Sequence, residues 1–393
     1  MNVPKLRFKE FSDEWKKAKL SSFVNINPKN NSLPDKFIYI DLESVNNGLL
    51  TSRKIVNKSE APSRAQRTII KNDILYQTVR PYQMNNLFIN SLDSDYPYIA
   101  STGYALLRTK ENPYFVYSIL YQKSFVNKVL DMCTGTSYPA ISANDLGTIS
   151  ICLPSIKEQE KIGKTLSLLD KKIELQTKKI EDLKLFKKGL INVLNKKSYQ
   201  ETALGKIGKF QTSSIDKLIK ENEKIVNLYN YMDVYKHKIL MTQDLSKLSK
   251  TSAKDNQITI NNLKRGDILF TPSSETPDDI GHSICIQEDL PNTVYSYHLL
   301  RYRPNIIMDP LFSNYYFNNS KIRKQIIRYA TGATRYTISL DSFLKIKVNS
   351  PDLITQKKYG LLLYSTDKKV NKELLKLNKL QELKKGLMQN MFV

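Results

Sequence analysis

Catalysis needs a nucleophile beside a base, paired acids or a cluster of metal ligands, and the scarcest side chains able to supply these are His237, His282, His298, Cys133, Cys152 and Cys285. The histidines stand at no spacing from cysteines or acids that resembles a zinc site. The cysteines, odd in number and unpaired by spacing, exclude a disulfide framework and suit a reducing cytosol. No GxxxxGK loop ending in Ser or Thr is present, which removes ATP hydrolysis, and no GxGxxG, which argues against a dinucleotide or methyl-donor pocket. Acid-x-Lys pieces such as EDLK and QELK fall on stretches that read as helix, where solvated i, i+4 pairs are their ordinary meaning. The chain is therefore expected to be non-catalytic, with no cofactor and no metal. What its side chains offer in quantity is positive charge: 61 Lys and Arg against 38 Asp and Glu, a formal charge of +23 spread along the whole chain. Such a field points to a polyanion, nucleic acid first and an acidic membrane surface next, although a lysine-rich coding style contributes to the same excess.

The elements that carry this charge are written twice. Residues 133–142 read CTGTSYPAIS and residues 330–339 read ATGATRYTIS, so that Thr134, Gly135, Ile141 and Ser142 return as Thr331, Gly332, Ile338 and Ser339 at an offset of 197. Downstream the offset holds without a gap: Pro154 returns as Pro351, Gln159 as Gln356, and Lys187-Lys188-Gly189-Leu190 as Lys384-Lys385-Gly386-Leu387. A fixed offset of this kind marks an internal repeat. Upstream the echo needs small indels, with KNDILY (71–76) answering RGDILF (265–270) and ALLR (105–108) answering HLLR (298–301).

Each copy has two textures. The first, over 20–153 and 207–350, mixes short β-rich runs such as FIYI, DILY and GYALLR with Asn, Ser, Pro and Gly punctuation, which predicts an α+β globular domain. The second, over 155–195 and 352–392, is free of internal Pro and rich in Leu, Lys and Glu, which predicts a long helix. A 3-4 spacing runs through Leu166, Leu169, Ile173, Gln176, Ile180, Leu183, Lys187, Leu190 and Leu194, and again through Leu363, Thr366, Val370, Glu373, Leu377, Leu380, Lys384, Leu387 and Met391. Two such seams in one chain can satisfy each other as an antiparallel coiled coil, a rod of roughly 60 Å at about 1.5 Å per residue. The polar residues repeated at Gln176/Glu373 and Lys187/Lys384 count against a dry seam; Phe186 and Leu383, one residue earlier, are the alternative core residues. No apolar run approaches the roughly 18 residues of a membrane span, and a soluble, cytoplasmic protein without membrane contact is expected.

Two diverged globular units, each followed by a long helix, with TGxxxxxIS before the helix and a Pro-x4-Gln helix start, resemble the specificity subunit of type I restriction-modification enzymes. The N-terminal VPKLRFKEFSDEWKKAKLSSF resembles the opening of that family, and the second copy departs from it with SPD where the first has LPS. The resemblance implies a non-catalytic DNA-binding subunit built of a first target recognition domain (1–153), a first spacer helix (154–196), a second recognition domain (197–350) and a second spacer helix (351–393). Each domain would read one half of a bipartite site on double-stranded DNA. The helices would set the spacing and dock methyltransferase subunits, two in number, with helicase-nuclease subunits joining through the complex. ENPYF (111–115) faintly resembles the Asn-Pro-Pro-aromatic loop of amino-methylating DNA enzymes, but its counterpart is MDPLF (308–312) and a strand-to-helix turn is expected.

Within that frame the TGxxxxxIS loops are the first candidates for DNA contact. Gly135 lets the backbone turn closely, Thr134, Thr136 and Ser137 offer hydroxyls and Tyr138 a ring, and the second copy answers with Thr331, Thr334, Arg335 and Tyr336. A plain structural junction between domain and helix is the competing explanation. The loops after the DIL strands come second: Arg80, Gln83 and Asn85 can make bidentate contacts to base edges, and Ser273 and Ser274 occupy the corresponding loop. Arg53, Arg64, Arg67, Arg301 and Arg303 are expected as phosphate clamps or as surface charge. Two alternatives remain: a stand-alone DNA-binding scaffold, and a single-chain methylase or nuclease with an unrecognised site.

Overall fold

The computed structural model describes residues 3–29, 32–196, 199–237 and 239–393; the outer bounds 1 and 197 expected for the two recognition domains lie outside these. The chain divides into two compact units, one of residues 1–178 with 375–393 and the other of residues 179–374. The long helices, Ile156–Lys196 and Leu353–Asn390, each contribute one part to each unit.

In the first unit, one sheet orders its strands Lys54–Asn57, Lys36–Ile40, Tyr98–Ser101, Ala65–Thr68, with the middle pair parallel. A second sheet runs Val24–Ile26, Tyr104–Thr109, Ile74–Gln77, Leu87–Phe88, all antiparallel. The DILYQ and YALL runs are unbroken by polar alternation because every residue of Ile74–Gln77 and the first four of Tyr104–Thr109 are buried. Trp15, Ile74, Phe115 and Phe125 build a core onto which the helix places Ile162 and Leu166 and the C-terminal segment places Met391 and Phe392.

The second unit repeats the plan. A sheet Gly208–Thr212, Leu300–Pro304, Ile268–Phe270, Ser283–Cys285 stands beside a three-stranded sheet Ser249–Ala253, Lys224–Tyr229, Thr293–Tyr295, in which the last two strands are again parallel. Its core gathers Leu204, Phe270, Tyr302, Phe312, Phe317 and Phe343, with Leu194 of the long helix against it.

Strand register corrects one sequence alignment. Ile74 faces Leu107, and Ile268 faces Tyr302, so Arg108 corresponds to Arg303 and not to Arg301. Both make the same contact: Arg108 donates to both carboxylate oxygens of buried Asp73 at 2.8 Å, and Arg303 to both of Asp267 at 2.6 Å. Arg301 is 5% exposed and donates to the carbonyls of Ile260 and Asn262. Neither Arg301 nor Arg303 is therefore the free phosphate clamp or plain surface charge expected: Arg301 is buried on two carbonyls and half-buried Arg303 is held by Asp267, the internal partners that a desolvated guanidinium requires. Arg53 is paired with Asp93.

The Pro-x4-Gln signature works as a clamp. Gln159 Nε2 donates to the Pro154 carbonyl at 3.0 Å while its Oε1 accepts from Asn112 N at 3.3 Å. Gln356 does the same between Pro351 and Asp309, at 2.8 and 2.9 Å. Asn112 and Asp309 are the N-caps of Pro113–Ile119 and Pro310–Tyr316, which accounts for ENPYF and MDPLF as helix starts. Gly163 and Gly360 allow this approach: a Cβ would lie 2.3 Å from Asn112 Oδ1 at the first and 2.6 Å from Phe312 N at the second. SPD keeps the capping chemistry of LPS, because Asp352 accepts from Thr355 N where Ser155 accepts from Glu158 N.

Along the helices, Leu166, Leu169, Ile180, Leu363, Val370 and Glu373 are buried, and Ile173, Leu183, Leu190, Leu377, Leu380 and Leu387 half-buried. Within the second unit Lys187 donates to Asp367 at 2.6 Å and Lys179 to Glu373 at 3.1 Å; within the first, Lys384 pairs with Asp170 at 2.6 Å. In the second unit residue numbers rise on one helix as they fall on the other, so there the segments run antiparallel. Phe186 and Leu383 are 49% and 52% exposed. The lysines thus hold the seam position themselves, their stems packed and their ammonium groups neutralised. Among the described residues no helix is long and apolar enough to cross a membrane.

Candidate nucleic-acid interface

In the first unit, the strand Ile74–Gln77 ends in a loop that meets the TGTSYPAIS hairpin. Thr134 and Ala140 exchange backbone hydrogen bonds at 2.9 Å, closing the hairpin, and Gly135 takes φ +91°, open to it because it has no Cβ. Ile141 N donates to the Thr78 carbonyl at 3.0 Å and Arg80 N to the Pro139 carbonyl at 2.7 Å, which fasten the two loops side by side. Across that seam the Arg80 guanidinium lies over the Tyr138 ring, 4.2 Å from its centre. Tyr138 is 65% exposed.

The second unit makes the same junction with different side chains. Thr331 and Thr337 close the hairpin, Gly332 takes φ +136°, and Ile338 N donates to the Pro272 carbonyl at 3.0 Å. Ser273 and Ser274 pair as a short strand with Thr337 and Tyr336. Here the arginine comes from the hairpin, where Arg335 Nη2 donates to Ser273 Oγ at 3.2 Å.

The repeated and the unrepeated residues of TGxxxxxIS have separate duties. Ile141 and Ile338 are buried, and Ser142 and Ser339 cap the helices Ala143–Thr148 and Leu340–Lys345 by accepting from Asp145 N and Ser342 N. Thr136, Ser137 and Tyr138, and Thr334 and Arg335, are exposed, with Tyr336 half-buried. The repeat therefore builds the hairpin, and what it displays is left to differ.

Some expected contact residues are occupied. Gln83 Oε1 accepts from Gln77 Nε2 at 2.8 Å, Asn85 Oδ1 accepts from Asn47 N at 3.1 Å, and buried Ser274 donates to the Thr276 carbonyl at 2.5 Å. These three side chains shape their loops, whereas Arg80, Ser273 and Arg335 stand at the junction.

Sequence reasoning missed a third loop on each platform. In the first unit Thr78 donates through both N and Oγ1 to the Gly103 carbonyl, at 3.0 and 2.9 Å, tying the junction to the turn between Tyr98–Ser101 and Tyr104–Thr109. The same turn in the second unit carries Tyr297 and His298, whose rings stack with centres 3.9 Å apart. In the sequence His298 reads as a metal-ligand candidate without partners; its place directly before the LLRYR strand is the signal that sets it in this turn.

This platform has known relatives. Residues 12–185 match the family described as the type I restriction modification DNA specificity domain. Among curated relatives, the type I restriction enzyme HindI specificity subunit of Haemophilus influenzae is 29% identical over 147 residues, 36% of this chain and 31% of that protein. The MjaVIII specificity subunit of Methanocaldococcus jannaschii is 26% identical over 172 residues, 42% of this chain and 36% of that one. The matches thus span about a third of the curated relatives' length. The fold extends over the whole chain: the type I restriction-modification system S subunit from M. genitalium superposes with a TM-score of 0.58 at 16% identity, covering 100% of this chain and 99% of that one. A chain from a structure of complex assembly and conformational transition in a type I R-M system gives a TM-score of 0.50 at 18% identity, covering 96% and 97%.

Proposed function

We propose that this chain is the non-catalytic DNA-reading subunit of a type I restriction-modification complex, with each unit reading one half of a two-part site on double-stranded DNA. The observation that supports this most is the junction built twice on one scaffold, with Arg80 and Tyr138 displayed on one and Ser273 and Arg335 on the other. A frame fixed by backbone hydrogen bonds, carrying exposed Tyr138 and Arg335 beside half-buried Arg80 and Ser273, is what two related but unlike half-sites require. Thr134, Thr136, Ser137, Thr331, Thr334 and Tyr336 surround those arginines as hydroxyl and ring contacts to the phosphates and bases. The net charge of +23 supplies the sequence-independent part of the affinity. In this reading the recognition domains are residues 1–153 and 197–350, and the spacer helices are 154–196 and 351–393.

The helices offer the partner surface. Leu168, Leu175 and Phe186 on one, and Ile354, Leu361 and Leu383 on the other, are exposed apolar residues on segments otherwise covered with charge. Two methyltransferase subunits dock there, and the helicase-nuclease subunits join through them. The test is co-purification with methyltransferase subunits followed by selection of bound DNA from a random library. A two-part motif that appears with the subunits is the expected result. Binding to DNA without any such partner would leave a stand-alone scaffold, and turnover of DNA by the nuclease-free chain would leave a single-chain enzyme.

A further inference from the structure

The turn Ser296–Leu299 has no functional part in the account above, yet strand register places it at the junction of the second unit. In the antiparallel pair Ile268 faces Tyr302 and Phe270 faces Leu300. Continuing that register past the strand ends sets Thr271 against Leu299 and Pro272 against His298. Pro272 is the residue whose carbonyl receives Ile338 N of the hairpin, and the next residue, Ser273, receives Arg335. His298 is thereby set next to the residue to which the arginine-bearing hairpin is tied, near enough for the Arg335 charge to act on its imidazole.

The turn itself is fixed. Tyr297 N donates to the Ile215 carbonyl at 2.9 Å, Leu299 N to the Ser296 carbonyl at 2.9 Å, and His298 N to Ser296 Oγ at 3.3 Å. Tyr297 is 53% exposed and its ring lies over the imidazole at 36°. A half-exposed ring tilted over a half-exposed imidazole, on a turn whose Ser296–Leu299 amides are all hydrogen-bonded, is a rigid polar probe held at little entropic cost. The first unit has Gly103 at the matching position, with no side chain to serve as such a probe and with a would-be Cβ 3.2 Å from the Leu42 side chain.

We propose that His298, braced by Tyr297, reads a base edge in the second half-site, donating one hydrogen bond to the N7 atom of a purine in the major groove. This rests on the reading of the second unit as a DNA-recognition domain. Partial burial, and then the positive charges of Arg335 and Lys217, push the imidazole below its ordinary pKa. The neutral imidazole, which this shift favours, has a single N–H donor. Both adenine and guanine present N7 as an acceptor at the same place on the edge, whereas cytosine presents only a donor and thymine offers O4 at a different place beside its methyl group, so one donor aimed at the N7 position favours a purine without choosing between the two. Tyr297 acts as a positioning residue.

The experiment uses the full chain with its methyltransferase subunits and a DNA library randomised across both half-sites. H298A should lower the preference for purine over pyrimidine at one position of the second half-site by on the order of tenfold, leaving the first half-site untouched. H298Q, which retains a side-chain donor, should keep part of that preference, and Y297A should weaken it at the same position. An unchanged motif in H298A of wild-type melting temperature overturns the proposal, as does a uniform loss of affinity across all sequences, which would make His298 a phosphate contact. Exchange of the whole second unit separates the levels: if that exchange changes the motif while H298A does not, only the role of His298 falls. If neither changes it, the reading of the unit falls with it.

Discussion

The two units share a frame and differ in what the frame holds out. Asp73 with Arg108 and Asp267 with Arg303 brace the same strand pair, Gln159 and Gln356 clamp the same helix start, and a glycine-turned hairpin is tied to the exit of the DIL strand in both. At the junction the likeness stops. The first unit brings its arginine from the strand exit and its ring from the hairpin; the second takes its arginine from the hairpin and its rings from the neighbouring turn. Backbone hydrogen bonds and buried ion pairs tolerate no variation in geometry, so the repeat persists there. Exposed side chains on a fixed backbone are free to diverge, and under the proposed function that freedom would let one scaffold address two unlike targets.

The sharpest way to break this equivalence is at the buried carboxylates. D73A and D267A each strand a half-buried guanidinium and also release a backbone amide, of Ile70 in one and Lys264 in the other. Each should cost about 3 kcal/mol, the low end for breaking a buried pair because each arginine keeps some solvent contact. Urea unfolding of the full chain measures both, and a large effect in one unit with none in the other would end the claim of a shared device.

R80A and R335A come next. Each should relax discrimination at one position of its own half-site by roughly 1 to 3 kcal/mol, read by competition between consensus and single-mismatch duplexes. Loss of affinity without loss of discrimination would demote either one to a phosphate contact, with the salt slope reduced accordingly. Q159A and Q356A should each lower stability by about 1 kcal/mol or slightly more, since a helix-start amide loses its acceptor in both units. Matching shifts in melting temperature are expected.

The smallest effect separates the units by pH. Hydrogen bonds from the Thr355 amide and hydroxyl hold the Asp352 carboxyl below its ordinary pKa, whereas Ser155 does not titrate. A depressed folded pKa means that the cap stabilises fully above the unfolded carboxyl value of about 4 and is lost as pH falls through the folded one. D352S should therefore abolish a slight acid sensitivity of the second helix, followed by carboxyl chemical shifts; an unchanged acid limb would show that the cap is not its source.

Much of this was legible in the sequence because periodicity and repetition are properties of the chain itself. The long helices, their seam, the DIL strands and the TGxxxxxIS loops all follow from spacing and repetition, though not that those loops close as hairpins. What escaped was set by tertiary register. ALLR and HLLR look aligned, yet the strands pair two residues further on, a slip that preserves the face of each side chain and so leaves no mark in the pattern. Arg301 reads as surface charge until its carbonyl partners, some forty residues away, are known. Phe186 and Leu383 read as better core residues than the lysines beside them, but Asp170 and Asp367 reward the lysines. The junction itself unites loops distant in sequence, so the residues were nameable and their meeting was not.

The central claim is that each unit carries its own half of the specificity on an interchangeable frame. The most direct measurement replaces residues 199–350 with a second copy of residues 15–153, which begin and end at matching places in the two frames, and selects DNA bound by the chimaera with its methyltransferase subunits. The account predicts a motif in which the half-sequence read by the first unit occurs twice and the original second half is gone. Retention of the original second half-site would contradict it, because the specificity would then reside outside the exchanged residues.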